Sequence, residues 1–196
     1  ESNRIKVIFH KSGVGLLASC FSIIKLIFEQ KPDLIIQAGI AGTFDETQPL
    51  SKVVCIKEDQ PGDIGVEENG VFKDLFDLNL NGSDNFPFTN KKLVNAELER
   101  LNFLQLDELT AVTINEITTR PERIVLLKAK YGAQIESMEG AALHYCCLQT
   151  STSFIQIRAI SNYIGERDKS KWKFKDSFDN LATIVLNYVD HLYNSK

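Results

Sequence analysis

Residues 135–164 read IESMEGAALHYCCLQTSTSFIQIRAISNYI. The apolar spacing predicts a brief strand over 133–137, a helix over 140–149 and a second strand over 154–160. The first strand ends on Met138 and Glu139; the second carries Arg158 and ends on Ser161 and Asn162. Two strands joined through a helix, each delivering polar groups at its carboxyl end, set a pattern that recurs along the chain.

Upstream, RIKVIFH (4–10) alternates as a strand does, KSGVG follows as a glycine turn, and residues 16–29 form a strongly apolar helix that Lys31-Pro32-Asp33 breaks. LIIQAGIAG (34–42) reads as a fully apolar, buried parallel strand ending in small residues. Further strands are expected over 53–57 and 109–115, and a short helix over 96–106. Pro121 opens a helix running to about 131, where its missing N–H is not needed. A closing amphipathic helix spans 176–193. The acidic, glycine-rich GDIGVEENG and residues 79–89 read as loop.

No repeat or low-complexity linker interrupts this alternation. The expected fold is α/β: residues 1–196 form a single three-layer domain, a mostly parallel central sheet flanked by helices on both faces. Ligands on such sheets collect at the carboxyl ends of strands. That rule selects Gly39–Gly42, Thr113–Asn115, Ser137–Glu139 and Ser161–Tyr163 as one rim.

Composition narrows the function classes. At 196 residues and 43% hydrophobic content the chain can bury a substantial core. Twenty-two Lys+Arg against 26 Asp+Glu give a formal charge of -4, without a block of like charge to attract nucleic acid or a membrane surface. No apolar stretch reaches the roughly 20 residues that span a bilayer. Cys20, Cys55, Cys146 and Cys147 lack metal-ligand spacing and read as reduced thiols in a cytoplasm. His10, His144 and His191 are too dispersed for a metal site, so no metal or cofactor is expected.

Each polar group at the rim has a plain reading beside the functional one. Glu139 is placed to interact with a helix dipole, yet a thioether beside a carboxylate also suits a sugar, whose vicinal hydroxyls a carboxylate accepts. Arg158 fits an internal salt bridge, and Ser161-Asn162 fits a cap or a turn. Gly13 and Gly15 do not complete a dinucleotide fingerprint, because Ala18 stands where the third glycine belongs.

Taken together, KSGVG, KPDLIIQAGIAG, ESMEGAA and QIRAISN resemble, in order and spacing, the nucleoside phosphorylase and nucleosidase superfamily over nearly the whole chain. The similarity is greatest to methylthioadenosine/S-adenosylhomocysteine nucleosidases and, more so, to futalosine hydrolases; GIAGTF, DIGVE, QIRAISNYI and Trp172 look like the latter branch. The resemblance implies that Met138 lies under the ribose and that Glu139 grips the sugar hydroxyls and stabilises charge developing on the ring. It places Asn162 on the leaving purine, with Ser161 and Arg158 holding its loop. Where adenosine-type enzymes have an aspartic acid, Asn162 offers carboxamide N–H groups, which argues for a 6-oxopurine.

The phosphorylases' phosphate-binding arginine and hydroxyl are replaced by Gln37 and Ile40, so water is the implied nucleophile. Ile117 stands near the position of a stacking phenylalanine. Phe86 and Phe88 are candidates to wall the 5′ group of futalosine. The family orients its water with a glutamate on an N-terminal strand that nothing before Arg4 supplies, so the N-terminal strand region is expected to be missing from these residues. The implied protein is a cytoplasmic homodimer acting on a small nucleoside, with the helix over 16–28 and the DIGVE loop as interface candidates. Alternatives are a methylthioadenosine/S-adenosylhomocysteine nucleosidase, a purine nucleoside phosphorylase, and a nucleoside-binding module without catalysis.

Overall fold

In the computed structural model, which describes residues 5–195, strand β8 (Ser153–Tyr163) organises the sheet. Its residues from Phe154 to Asn162 are all buried, because helices or neighbouring strands cover both of its faces. Strand β1 (Leu34–Thr43) runs parallel along one edge, from Leu34 opposite Ser153 to Thr43 opposite Tyr163. Strand β2 (Val53–Asp59) runs antiparallel along the other.

Strand β6 (Glu108–Thr113) pairs with β2 in parallel, and β7 (Ile135–Ser137) pairs with β6 in parallel. The tip of β7 then meets β1 antiparallel at Gly42 and Thr43. Strands β2, β6, β7, β1 and β8 therefore close a ring, and β5 (Leu93–Val94) is appended to β2. Parallel pairing is only part of this sheet. Ala41, Val54, Ile56, Leu109, Ala111, Ile135 and Ile160 form one apolar cluster of the ring strands.

Alternation along β8 feeds two helical layers. Phe154 turns toward α1 (Leu16–Gln30) and α4 (Gly140–Thr150), where Ile23, Ile27, Leu143 and Cys147 pack. Ile155, Ile157 and Ala159 turn toward α2 (Leu98–Leu101) and α5 (Phe174–Asn194) and meet Leu98, Leu181 and Tyr188. Each such large aliphatic side chain contributes about 1.5–3 kcal/mol by leaving water. Helix α3 (Pro121–Tyr131) opens on its proline and stops at Gly132, packing Leu127 and Tyr131 on Val112 and Ile114. All four cysteines are free thiols.

Several expected elements differ. Arg4 lies outside the described residues, and residues 5–10 form no strand: their alternating pattern finds no ladder partner, and Phe9 is 93% exposed. GDIGVEENG is not all loop, since β3 (Gly65–Glu68) and β4 (Val71–Asp74) make a hairpin across it. The helix expected over 96–106 shrinks to the single turn of α2. Among the described residues no helix is long and apolar enough to cross a membrane.

Candidate active site

The sheet register brings the strand ends together. Gly42 of β1 pairs with Glu136 on one side and with Asn162 on the other. Above them lies a cavity of about 170 Å³. Met138, Glu139, Ile40, Ile117, Ser161 and Asn162 line it, and Arg158 lies behind Glu139.

Glu139 occupies the N-cap position of α4, but its side chain does not cap that helix. The free N–H groups there are taken by others: Gly140 donates to Ser137 Oγ at 3.2 Å and Ala141 to Thr113 Oγ1 at 2.8 Å. The carboxylate turns away. Its Oε1 accepts the backbone N–H of Gly15, ahead of α1, at 3.3 Å, and its Oε2 accepts from Arg158 Nη1 at 3.4 Å. Each oxygen keeps a further lone pair for a ligand.

Arg158 is 3% exposed and needs every partner it has. It donates through Nη2 to Gln37 Oε1 at 2.8 Å and through Nη1 to the Ile40 carbonyl at 3.4 Å. It makes no bond to the loop of Asn162, contrary to the expectation that it would hold that loop; its guanidinium is committed to Gln37 and Glu139 instead. Of the two, only Ser161 bonds to Asn162, with Oγ 2.8 Å from Asn162 Oδ1 and 3.3 Å from the Ala41 carbonyl. Asn162 Nδ2 donates one hydrogen to the Tyr163 carbonyl at 3.1 Å, leaving one for the cavity.

A buried polar network supports this front from behind. With its amide oxygen turned to Arg158 Nε at 3.2 Å, Gln156 donates to His144 Nε2 at 2.9 Å and to Asp59 Oδ2 at 3.3 Å. Asp59 Oδ1 also accepts from Thr113 Oγ1, 2.8 Å away, which in turn caps α4. The network touches the helix directly: a Cβ at Gly140 would fall 2.0 Å from Asp59 Oδ2 and 2.2 Å from the Gln156 amide. Only glycine lets α4 start there and aim Glu139 forward.

Burial pushes the Asp59 carboxyl up to about 6, against the pull of Thr113 and Arg158. It pushes His144 down to about 4, and the neutral ring donates Nδ1–H to the Leu93 carbonyl at 2.8 Å. The signs are opposite. Stability from the raised Asp59 is complete below its ordinary 3.8 and is lost as pH rises through about 6. Stability from the depressed His144 is present above 6.5 and is lost as pH falls through about 4. Asp59→Asn removes the first contribution alone. Its melting temperature, relative to wild type, is therefore expected to fall steadily between pH 6 and pH 4, as followed by circular dichroism; a constant difference would mean that Asp59 does not titrate there.

Several cavity residues carry no signal in the sequence reading: Glu136, Thr118, Ile164 and Arg167 join the wall, beside Trp172. Glu136 had one available clue, a carboxylate between Ile135 and Ser137 inside a short strand. Phe86 and Phe88, in contrast, do not line the cavity. Phe88 is buried against Phe76, ring centroids 5.2 Å apart, and Phe86 is exposed. Among the described residues no group of three His, Cys, Asp or Glu is arranged to hold a metal ion.

An α/β sheet that gathers polar side chains at its strand ends around an apolar-walled cavity is the architecture in which sheet enzymes hold small substrates. The chain belongs to the phosphorylase superfamily, whose family pattern fits residues 4–193. It is 26% identical to the futalosine hydrolase of Thermus thermophilus over 179 residues, 91% of this chain and 79% of that one. It is 30% identical to the 5′-methylthioadenosine/S-adenosylhomocysteine nucleosidase of Bacillus velezensis over 198 residues, 96% and 83% of the two chains. The crystal structure of the Colwellia psychrerythraea nucleosidase of that same type, in complex with adenine, superposes with a TM-score of 0.74 at 20% identity, covering 93% of this chain and 76% of the other. By this kinship the chain is an enzyme, an N-glycosyl hydrolase of the nucleosidase group.

Proposed function

We propose that the enzyme hydrolyses 6-oxopurine nucleosides, futalosine foremost, releasing hypoxanthine. The observation that carries this reading is a carboxamide, Asn162, in the cavity that also holds Glu139. Its free N–H bridges N7 and O6 of a 6-oxopurine, whereas a 6-amino group presents it with a second donor.

The bond broken joins C1′ to N9. Its electrons go to the purine, positive charge grows on the ribosyl ring, and water adds at C1′. Glu139 accepts from the 2′- and 3′-hydroxyls through its unused lone pairs and stabilises the ring charge, with Arg158 and Gly15 fixing its aim. Met138 packs beneath the sugar. Ile40 and Ile117 close apolar walls, and Ser161 fixes the amide of Asn162. Asn162 stabilises the leaving base by hydrogen bonding, while water supplies the proton.

Gln37 already binds Arg158, which keeps that cation engaged rather than free to compensate a phosphate. Arg167 and Trp172 offer a cation and an aromatic wall, chemistry suited to a benzoate-bearing 5′ group. The reading includes a second copy of the chain: α1 presents Leu17, Phe21 and Phe28 outward, an apolar stripe fit for self-association.

Incubation with futalosine, inosine and methylthioadenosine, with chromatography of the free base, tests the substrate. Hypoxanthine from futalosine without added phosphate is expected. Adenine from methylthioadenosine alone would sink the assignment and favour the second reading, to which the 30% identity with the Bacillus velezensis nucleosidase lends support.

A further inference from the structure

Helix α1 begins without a cap of its own. Gly15 stands at its N-cap with φ 85°, a conformation open essentially to glycine, and a glycine has no side chain to satisfy the first N–H groups. Gly13, with φ 86°, gives the same turn a second such residue. A turn built on two of them has little conformational preference of its own. Its geometry nevertheless matters to the cavity, because Gly15 N–H and Arg158 both donate to Glu139.

The cap arrives from 99 residues away: Asn115, just past the end of β6, accepts the Leu16 N–H on Oδ1 at 3.1 Å. Its amide is itself held. Nδ2 donates to Asp63 Oδ1 at 3.4 Å, the Asn115 backbone N–H donates to Asp63 Oδ2, and the Glu116 N–H reaches that same oxygen at 3.4 Å. A carboxylate on one side and an N–H on the other leave the carboxamide one orientation, nitrogen toward Asp63 and oxygen toward α1. Leu16 N–H and Gly15 N–H are adjacent in the chain, so fixing the first fixes the direction of the second.

Asn115 is exposed and does not line the cavity, so it acts on the site through other residues. A plain surface cap accounts for the Leu16 bond, but not for a carboxylate committed to aiming the cap. We infer that Asn115, aimed by Asp63, is a positioning residue for the glycosidic cleavage: it sets the first turn of α1 so that the Gly15 N–H holds Glu139 toward the ribosyl ring. The inference rests on the role given to Glu139 above and is independent of which purine leaves.

A double-mutant cycle on the full chain tests it, with kinetics on whichever of futalosine, inosine and methylthioadenosine turns over fastest. Asn115→Ala is expected to lower kcat about 10- to 100-fold while KM changes less than about threefold, since a donor displaced by ~1 Å misaims the carboxylate. In the Glu139→Gln background the same change is expected to cost less than about threefold, because the side chain it aims has already lost its charge. A general loss of folded enzyme would instead lower kcat by one factor in both backgrounds. Asn115→Asp alone is expected to lose activity by repulsion from Asp63, and Asp63→Asn added to it is expected to restore that activity, since a carboxylate again faces a carboxamide and Leu16 N–H keeps its acceptor. Equal factors in the two backgrounds overturn the inference while leaving the role of Glu139 standing. A rise in KM without a fall in kcat overturns it too, and would place Asn115 behind the Ile117 wall instead. Failure of the exchanged pair to recover overturns the part given to Asp63. Near-wild-type kcat in Glu139→Gln alone removes the role of Glu139 and the inference together.

Discussion

Glu139→Gln is expected to lower kcat for the best nucleoside by about 10³-fold or more. The substitution keeps the size of the side chain and removes its charge at the place where the proposed mechanism makes the ribosyl ring positive. It also introduces a conflict. Gly15 N–H and Arg158 both donate to the present carboxylate, so an amide must turn its own N–H toward one of them. The neighbouring groups then add to the loss by tilting the side chain. Ground-state binding is expected to suffer far less than turnover, so a nucleoside should still raise the melting temperature of the variant. Activity within tenfold of wild type, in a variant that melts cooperatively, would show that charge at 139 does not act on the transition state.

Asn162→Asp carries the second large effect, on choice rather than on rate. As a carboxylate, residue 162 presents only acceptors, one toward the Tyr163 carbonyl and one toward the base. Its interaction with N7 and O6 of a 6-oxopurine becomes repulsive. If protonated it donates to N7 and accepts from a 6-amino group, so a 6-aminopurine nucleoside gains what the 6-oxo compound loses. The ratio of kcat/KM between futalosine and methylthioadenosine is expected to fall by at least about 100-fold. A ratio within threefold of wild type would show that position 162 does not read the base.

Which of these features the sequence reveals follows from how local they are. The strand–helix–strand from Ile135 to Tyr163 is legible because burial on both faces of β8 leaves a largely apolar run from Phe154 to Ile160, interrupted only by Gln156 and Arg158, and further polar groups stand at its end. Ring closure by β2 against β8 is not legible, since periodicity reports which face a strand buries and not which strand lies beside it. The β3–β4 hairpin was available and is masked by its acidic, glycine-rich composition. Asn69 and Gly70, both with positive φ, form the two-residue turn favoured between twisted strands, flanked by Val-Glu-Glu and Val-Phe-Lys.

The cavity divides in the same way. Met138, Glu139, Ser161 and Asn162 announce themselves as polar or soft residues at strand ends. Asp59, His144 and Gln156 do not, because their meaning lies in one another: they come from β2, α4 and β8 and meet only once the sheet has closed. Glu136 is hidden for a related reason, since a single carboxylate in a three-residue strand looks solvent-facing until its neighbours are in place.

The bond between Glu139 and the Gly15 N–H has a consequence beyond orienting a carboxylate. In the proposed complex the sugar hydroxyls meet a carboxylate whose aim that N–H sets, so filling the cavity and seating the amino end of the first helix draw on a shared free energy. By reciprocity, anything that braces that helix from outside must alter affinity within, and a captured nucleoside must be felt at the surface where Leu17 and Phe21 emerge.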